Sequence, residues 1–219
     1  MIYEINSISE YIGILESQQV SSSSLFRGHK ELSYKLLPSI ARVEFIRGSQ
    51  ESNEKTLLKH FKASAVPYIK YFPKSDWEWL ALAQHHGLPT RFLDWTFNPL
   101  VALYFAVEDE SEGDSVVYST NYNFEVNLES LTPFSIKSVK RYTPTHISDR
   151  ILNQNGCFTV HPSPFVEYNP ESLHRFIIKK DLRSDIKKLL FKIGIRSRSI
   201  YPGLEGISKD LKWLKTISY

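Results

Sequence analysis

The stretch at residues 84–96, QHHGLPTRFLDWT, joins the end of one predicted helix to the start of another. Ser75 and Glu78 form a capping box, which predicts that the first helix begins there. Gly87 ends that helix, and Pro89 follows two residues later. Two histidines, an arginine, an aspartate and two threonines are therefore concentrated in one connection.

The chain after this connection predicts a short strand and a second helix. Residues 90–95 are predicted as extended chain, and Asn98-Pro99 as the cap and first position of the helix. Ala102 and Ala106 give this helix a small-residue face that permits close packing. Adjacent histidines do not make the i, i+4 pair that zinc proteases use, so we expect no metal here.

Upstream, residues 25–29 are predicted as a strand that runs into a turn at Gly28. An arginine beside glycine, as Arg27 is, presents its guanidinium to a phosphate or carboxylate while the backbone comes close. The alternative for Arg27 is a surface ion pair at a turn. For the connection at 84–96, the alternative is that Asp94 pairs structurally with Arg91 or Arg27 and that His85 or His86 is a core histidine.

The remaining pattern predicts one α+β domain over residues 1–219, with a helical segment and a serine linker at 1–24. Further helices are predicted near 50–66, 182–193 (capped by Asp181) and 203–216, and strands at 116–118, 156–160 and 176–178. Gln154 precedes one strand and suits a sugar hydroxyl or a backbone group, whereas Cys157 within it is expected to be a buried, inert thiol.

Composition sets the outer limits. The 27 basic and 24 acidic residues give a net charge of +3, which permits a nucleic-acid partner without requiring one. The single cysteine excludes an intrachain disulfide framework and a Cys-rich zinc site. Because the sequence has neither an apolar run of about 18 residues nor a signal peptide at its start, we expect a cytoplasmic protein without a membrane partner.

Taken together, these segments resemble the FRG domain, a family named for its (Phe/Tyr)-Arg-Gly signature. The residues that carry the resemblance are Phe26-Arg27-Gly28-His29, 37–42 (LPSIAR), 83–96, 98–106, Arg150 with Gln154, Gly156 and Phe158, and 201–206 (YPGLEG). The resemblance extends over about residues 20–215, nearly the whole chain.

In the order of these elements the chain is also similar, more weakly, to ADP-ribosyltransferases. That resemblance implies small mixed or antiparallel sheets with flanking helices, NAD as a substrate and no metal. It implies that Arg27 in Phe26-Arg27-Gly28 clamps the NAD phosphates and that His29 contacts a ribose. It also implies that Thr96, with Asp94 and His86, lines the pocket.

The sequence departs from these transferases at the third element. Where they have Glu-x-Glu or Gln-x-Glu, this chain has Gln154-Asn155-Gly156, so the acid is missing. Either Gln154 positions the ribose and another carboxylate supplies the negative charge, with Glu205 in the turn at 201–206 as the first candidate, or the chemistry differs. A carboxylate near C1′ stabilises the cation that forms when the nicotinamide bond breaks.

The resemblance implies a toxin or phage-defence effector of bacterial type that uses NAD to modify a macromolecule. RNA or DNA is one candidate acceptor, and an antitoxin protein is a candidate partner. One alternative is a non-enzymatic domain that binds a nucleotide or a partner. Another is a metal-independent RNA nuclease that uses His29, His86 and Arg27. The basic residues between Lys179 and Arg198 either steer a phosphate backbone or form a solvated face.

Overall fold

The computed structural model of the chain describes residues 1–17, 21, 23–122, 124–144 and 149–216. The strands are β1 (Ile2–Ile5), β2 (Ser24–His29), β3 (Phe92–Thr96), β4 (Ser115–Asn121), β5 (Lys140–Tyr142), β6 (Gly156–Val160) and β7 (His174–Ile178). The α-helices are α1 (Ile8–Ser17), α2 (Gln50–Ala65), α3 (Asp76–His85), α4 (Pro99–Val107), α5 (Asp149–Asn153), α6 (Arg183–Lys192), α7 (Ser197–Ile200) and α8 (Leu204–Thr216). Short 3-10 helices lie at Ser39–Arg42, Val66–Tyr68 and Lys180–Leu182.

The strands form one seven-stranded sheet in the order β1-β7-β4-β2-β3-β6-β5. β1 and β7 are parallel, and the other neighbouring strands are antiparallel. The α+β class predicted from the sequence is therefore confirmed. The expected small sheets are instead one mixed sheet that includes strands from both ends of the chain.

The centre of the sheet opens between β2 and β3. These two strands share a single paired position, Phe26 opposite Thr96. β2 pairs with β4 along all six of its residues, and β3 pairs with β6 along all five of its own. The two central strands consequently diverge beyond their one point of contact.

Close packing between β2 and α4 accompanies this opening. A Cβ atom added to Gly28 would lie 2.0 Å from the carbonyl oxygen of Ala102 and 2.6 Å from the amide nitrogen of Ala106. Only a glycine at position 28 allows the backbone of β2 to lie this close to α4. The contact is made at Ala102 and Ala106, which confirms the predicted small-residue face of α4. Gly28 itself lies inside β2, opposite Val117, and the predicted turn at this glycine is wrong.

The local signals in the sequence correctly mark where α3 begins and ends. The Ser75 hydroxyl accepts a hydrogen bond from the Glu78 amide at 3.3 Å. Gly87 has φ +86°, and its amide donates to the carbonyl oxygen of Gln84, which closes the helix. The Asn98 side chain likewise caps α4 by accepting from the next two helical amides.

Two predictions need correction. The N-terminal segment begins with a strand, since β1 pairs along β7, and only α1 is helical. Asp181 lies in a 3-10 helix, and no side chain caps α6. The helix predicted at 203–216 is confirmed as α8; its apolar positions are largely exposed, with Leu204 82% accessible, and its buried residues are Gly206 and Asp210. The predicted serine linker lies partly outside the described residues.

Helices cover one face of the sheet in two groups. Phe26 on β2 packs in a cluster with side chains of α1, α4 and α6, and Phe92 on β3 packs with α2 and α3. Leu25 and Trp95 pack on the opposite face, against apolar side chains from connecting segments. Within the described residues, no helix combines the length and the apolar character that crossing a membrane requires.

Candidate functional site

A cavity of about 470 Å³ lies where β2 and β3 separate. The two strands, the start of β6, the end of α3 and the 3-10 helix at 39–42 contribute to its wall. Seven residues predicted from the sequence line it: Phe26, Arg27, Gly28, His29, Asp94, Thr96 and Gln154. The fold thus brings together three segments that are far apart in the chain.

Arg27 bridges the gap between the diverging strands. Its Nη1 donates a 2.6 Å hydrogen bond to the backbone oxygen of Asp94 and lies 3.5 Å from the Oδ2 atom of that residue. The Arg27 side chain is 18% exposed, whereas that of Asp94 is 57% exposed. Burial lowers the pKa of Arg27, but an arginine remains charged at neutral pH. The contact is therefore an ion pair open to the cavity.

His29 holds Arg27 from the other side. The Nε of Arg27 donates to His29 Nε2 at 2.8 Å, so this ring nitrogen must be an acceptor. Nδ1 lies 3.2 Å from the carbonyl oxygen of Tyr34 and therefore carries the proton of the neutral ring. Burial, together with the charge of Arg27, lowers the pKa of His29 to about 3. His29 is a positioning residue for Arg27.

Thr96 and Gln154 form the opposite wall of the cavity. The Thr96 hydroxyl donates to the backbone oxygen of Gln154 at 2.6 Å and accepts from the Asn98 amide at 3.0 Å. The hydroxyl therefore ties the end of β3 to the turn before β6. The side-chain amide of Gln154 lies 3.4 Å from the carbonyl oxygen of Ile200 and lines the cavity.

Of the two adjacent histidines, His85 lines the cavity and His86 lies exposed outside it. Their rings meet edge to face, with centroids 4.8 Å apart. Burial lowers the pKa of His85 to about 4, and the nearby charges of His86 and Arg150 act in the same direction. The sequence predicted His86 as a residue of the pocket; in the structure its neighbour His85 lines the cavity instead.

The charge of the wall favours an anionic ligand. Four cationic side chains line the cavity, namely Arg27, Lys30, Arg42 and Arg150, against the single carboxylate of Asp94 among the described lining residues. Sequence reasoning missed Lys30, Arg42 and Tyr34 as lining residues. Arg42 ends the LPSIAR segment of the family resemblance, which is the signal that pointed to it.

Residues 22–115 match the model of the FRG domain family, described as the FRG domain. These 94 of the 219 residues form an FRG domain. The match includes β2, the segment at 39–42, α3, β3 and α4, and thus most of the cavity wall. Arg150 and Gln154, which complete that wall, lie beyond the match. No curated protein and no solved structure matches the chain significantly.

Glu205, the predicted source of negative charge, lies beside the main cavity. It lines a neighbouring cavity of about 410 Å³ that shares His85 and Arg150 with the main one. Its carboxylate lies 3.3 Å from Lys209 on the next turn of α8. The two carboxylates Asp94 and Glu205 therefore face adjoining spaces.

The cysteine and the possible metal ligands also bear on the chemistry of the site. Cys157 is 1% exposed, and burial raises the pKa of its thiol to about 12, in agreement with the inert thiol predicted from the sequence. Within the described segments, no group of three histidine, cysteine or acidic side chains is arranged to hold a metal ion.

Several basic residues near α6 form ion pairs or hydrogen bonds with other groups of the protein. Lys179 pairs with Asp114 at 3.2 Å, and Arg183 donates to three backbone carbonyl groups. Lys187 donates to the carbonyl oxygen of Glu108, and Arg198 pairs with the buried Asp210 at 2.9 Å. These contacts favour a structural role for this stretch over recognition of a phosphate backbone.

Proposed function

We propose that this protein is an NAD-dependent ADP-ribosyltransferase that acts as a bacterial toxin or defence effector in the cytoplasm. One observation carries the proposal: a single cavity combines the partly buried cation of Arg27 with the exposed carboxylate of Asp94, and Thr96 and Gln154 share its wall. Arg27 can pair with an anionic phosphate, and Asp94 can stabilise a developing cation. NAD carries phosphates, and its ribose becomes cationic during transfer.

The reaction asks for few groups. The bond between ribose C1′ and the nicotinamide nitrogen breaks, nicotinamide leaves with the electron pair, and the ribose becomes an oxocarbenium-like cation. A nucleophilic atom of the acceptor then bonds to C1′ and loses its proton to solvent. Preorganised charge and positioning supply most of such a rate enhancement.

Each residue of the cavity suits one part of this chemistry. Arg27, held by His29, would bind a phosphate of NAD. Asp94 would stabilise the oxocarbenium, the role left open by the missing acid after Gln154. The Gln154 amide would hydrogen-bond a ribose hydroxyl. Glu205 would face the acceptor from the adjoining cavity.

The biological partners of this activity are proposals as well. The acceptor would be a macromolecule, with RNA or DNA as the first candidates, and an antitoxin protein would restrain the activity in the cell. An effector of this kind stops growth when it is produced alone. The variant Arg27→Gln should relieve that arrest because it removes the charge that binds the phosphate.

The decisive experiment incubates purified protein with NAD labelled in its ADP-ribose part and, in separate tubes, with total RNA, DNA and cell extract. Transfer of label to one of them is expected for the parent protein and is expected to be lost in Arg27→Gln. Arg47→Gln removes an exposed arginine outside the cavity and should transfer normally. Equal transfer by the parent and by Arg27→Gln would contradict the proposal.

A non-enzymatic nucleotide-binding domain is the second candidate. It is favoured by the contact between Asp94 and Arg27, which partly neutralises the carboxylate that the reaction needs. Binding of NAD without transfer of label or release of nicotinamide would select it. A nuclease is favoured less, because His29 Nε2 already accepts from Arg27 and His86 lies outside the cavity. RNA integrity in the same tubes tests that alternative.

A further inference from the structure

Arg42 is a cation of the cavity wall with no role in the chemistry above. It is exposed, and within the described part of the chain it makes neither an ion pair nor a side-chain hydrogen bond. Its charge is close enough to disfavour the charged forms of both Arg27 and His29, lowering their pKa values. Two arginines thus face one space and repel each other, a cost that an anion between them would remove.

The position of Arg42 is fixed by the fold. The Ser39 hydroxyl accepts from the Thr90 amide at 3.0 Å, and the Ile40 amide donates to the Thr90 carbonyl oxygen at 3.1 Å. These bonds attach the 3-10 helix at 39–42 to the residue that leads into β3. Arg42 is therefore carried by an anchored segment, as a preorganised binding site requires.

An aromatic ring lies on the same wall. Tyr34 is 46% exposed and lines the cavity, while its carbonyl oxygen accepts from His29. Its ring contacts the His29 ring edge to face, with centroids 6.3 Å apart. A partly exposed, anchored aromatic ring beside two arginines presents the groups that a base and its phosphates need.

We propose that Arg42 and Arg27 together bind the diphosphate of a nucleotide and that Tyr34 stacks on its base. This inference rests on the proposed function, because it identifies the end of the cavity that holds the ADP part of NAD. The ribose that reacts is then directed toward Asp94 and Gln154. The ligand class is an adenine nucleotide with at least two phosphates, and a nucleoside alone lacks the anion that the arginines require.

Calorimetric titration with ADP, ADP-ribose, AMP and adenosine tests this assignment without any turnover. ADP and ADP-ribose should bind more tightly than AMP, and adenosine should bind weakest. Arg42→Ala should weaken ADP binding by about 10-fold or more and leave adenosine unaffected, because one charged hydrogen-bond donor to the phosphates is lost. Tyr34→Ala should weaken all four ligands by about 10-fold, and Tyr34→Phe should keep the stacking.

The matched control is Arg47→Ala, which removes an exposed arginine five positions away and should bind ADP like the parent. Thermal unfolding of each variant shows whether it is folded. Unchanged ADP affinity in Arg42→Ala, or no ADP binding by the parent, would overturn the assignment. Loss of ADP binding in Arg42→Ala together with no label transfer by the parent would keep the nucleotide site and remove the transferase activity.

Discussion

Two arginine–carboxylate pairs involve β3 or the residue before it, and they differ in bond geometry and in exposure. Arg91 and Glu54 form a bidentate pair with bonds of 2.8 and 3.0 Å, and their side chains are 4% and 2% exposed. Arg91 also donates to the carbonyl oxygen of Pro133 and stacks on the Phe134 ring. Arg27 and Asp94 touch at 3.5 Å, and the carboxylate remains accessible.

The difference indicates that Arg91 is a structural residue, whereas Arg27 lines a cavity where it can bind a ligand. All three side-chain nitrogens of Arg91 donate to protein groups: Nε and Nη2 to the Glu54 carboxylate, and Nη1 to the carbonyl oxygen of Pro133. The pair joins α2 to the residue before β3. Arg27 is positioned as firmly by His29 and the Asp94 backbone, yet its partner carboxylate faces a cavity. Arg91 lies only three residues before Asp94 in the sequence, yet it pairs with Glu54, and Asp94 contacts Arg27. Closeness in the sequence therefore did not predict which residues pair.

Replacing each arginine by methionine tests this comparison most strongly. Arg91→Met leaves Glu54 as a buried unpaired carboxylate and should lower the free energy of unfolding by about 3–5 kcal/mol. Arg27→Met should change that free energy by about 1 kcal/mol or less, because Asp94 stays solvated, and should abolish label transfer. Denaturant unfolding and the transfer assay measure the two effects. Similar destabilisation by both variants would show that the pair at Arg27 is structural.

The two carboxylates give the next test. Asp94→Asn should reduce label transfer by about 100- to 1,000-fold, the loss typical when one electrostatic stabiliser of a transition state is removed. The protein should remain as stable as the parent because the Asp94 side chain is exposed. Glu205→Gln should raise the KM for the acceptor while NAD hydrolysis without an acceptor persists. A complete loss with Glu205→Gln and none with Asp94→Asn would exchange the two roles.

Much of the fold was accessible from local chemistry. Gly87 and Asn98 mark helix ends because the groups they satisfy lie within four residues, so the sequence contains the whole interaction. The family resemblance pointed to Arg27, Asp94 and Gln154 as one site, and the structure brings them to one cavity.

The remainder depended on contacts between distant segments. Gly28 looked like a turn because its requirement comes from Ala102 on a helix more than 70 residues away. His85 and His86 were indistinguishable because α3 is buried on nearly every side, and no polar face shows which histidine points inward. Arg42 belonged to the family resemblance, but the sequence did not show that it lines the cavity, since its importance arises from Arg27 across that cavity.

Acid should weaken the protein through its buried histidines. Burial lowers the pKa of His161 to about 4 and that of His29 to about 3, whereas both protonate near pH 6.5 in an unfolded chain. The unfolded state therefore binds more protons between these values, so the free energy of unfolding falls as the pH is lowered from 7 to 5. Each histidine should contribute a loss of up to about 2 kcal/mol.

Denaturant unfolding at a series of pH values measures this loss. His161→Gln should flatten the profile, because it removes one of the groups that titrate only on unfolding. The control His60→Gln changes an exposed histidine on α2 and should leave the slope as it is in the parent. An unchanged slope in His161→Gln would show that this ring titrates alike in the folded and unfolded states.

The smallest expected effect concerns Cys157 on β6, which pairs with Trp95 on β3, the residue after Asp94. A thiol pKa of about 12 leaves almost no thiolate at pH 8, and the side chain is 1% exposed, so a thiol reagent should modify it only on unfolding. Cys157→Ala should keep label transfer within about two-fold and lower the free energy of unfolding by about 1 kcal/mol. Mass spectrometry after brief alkylation gives the measurement. Rapid modification of the folded protein, accompanied by loss of transfer, would place a reactive thiol in the cavity and remove Asp94 from the centre of the reaction.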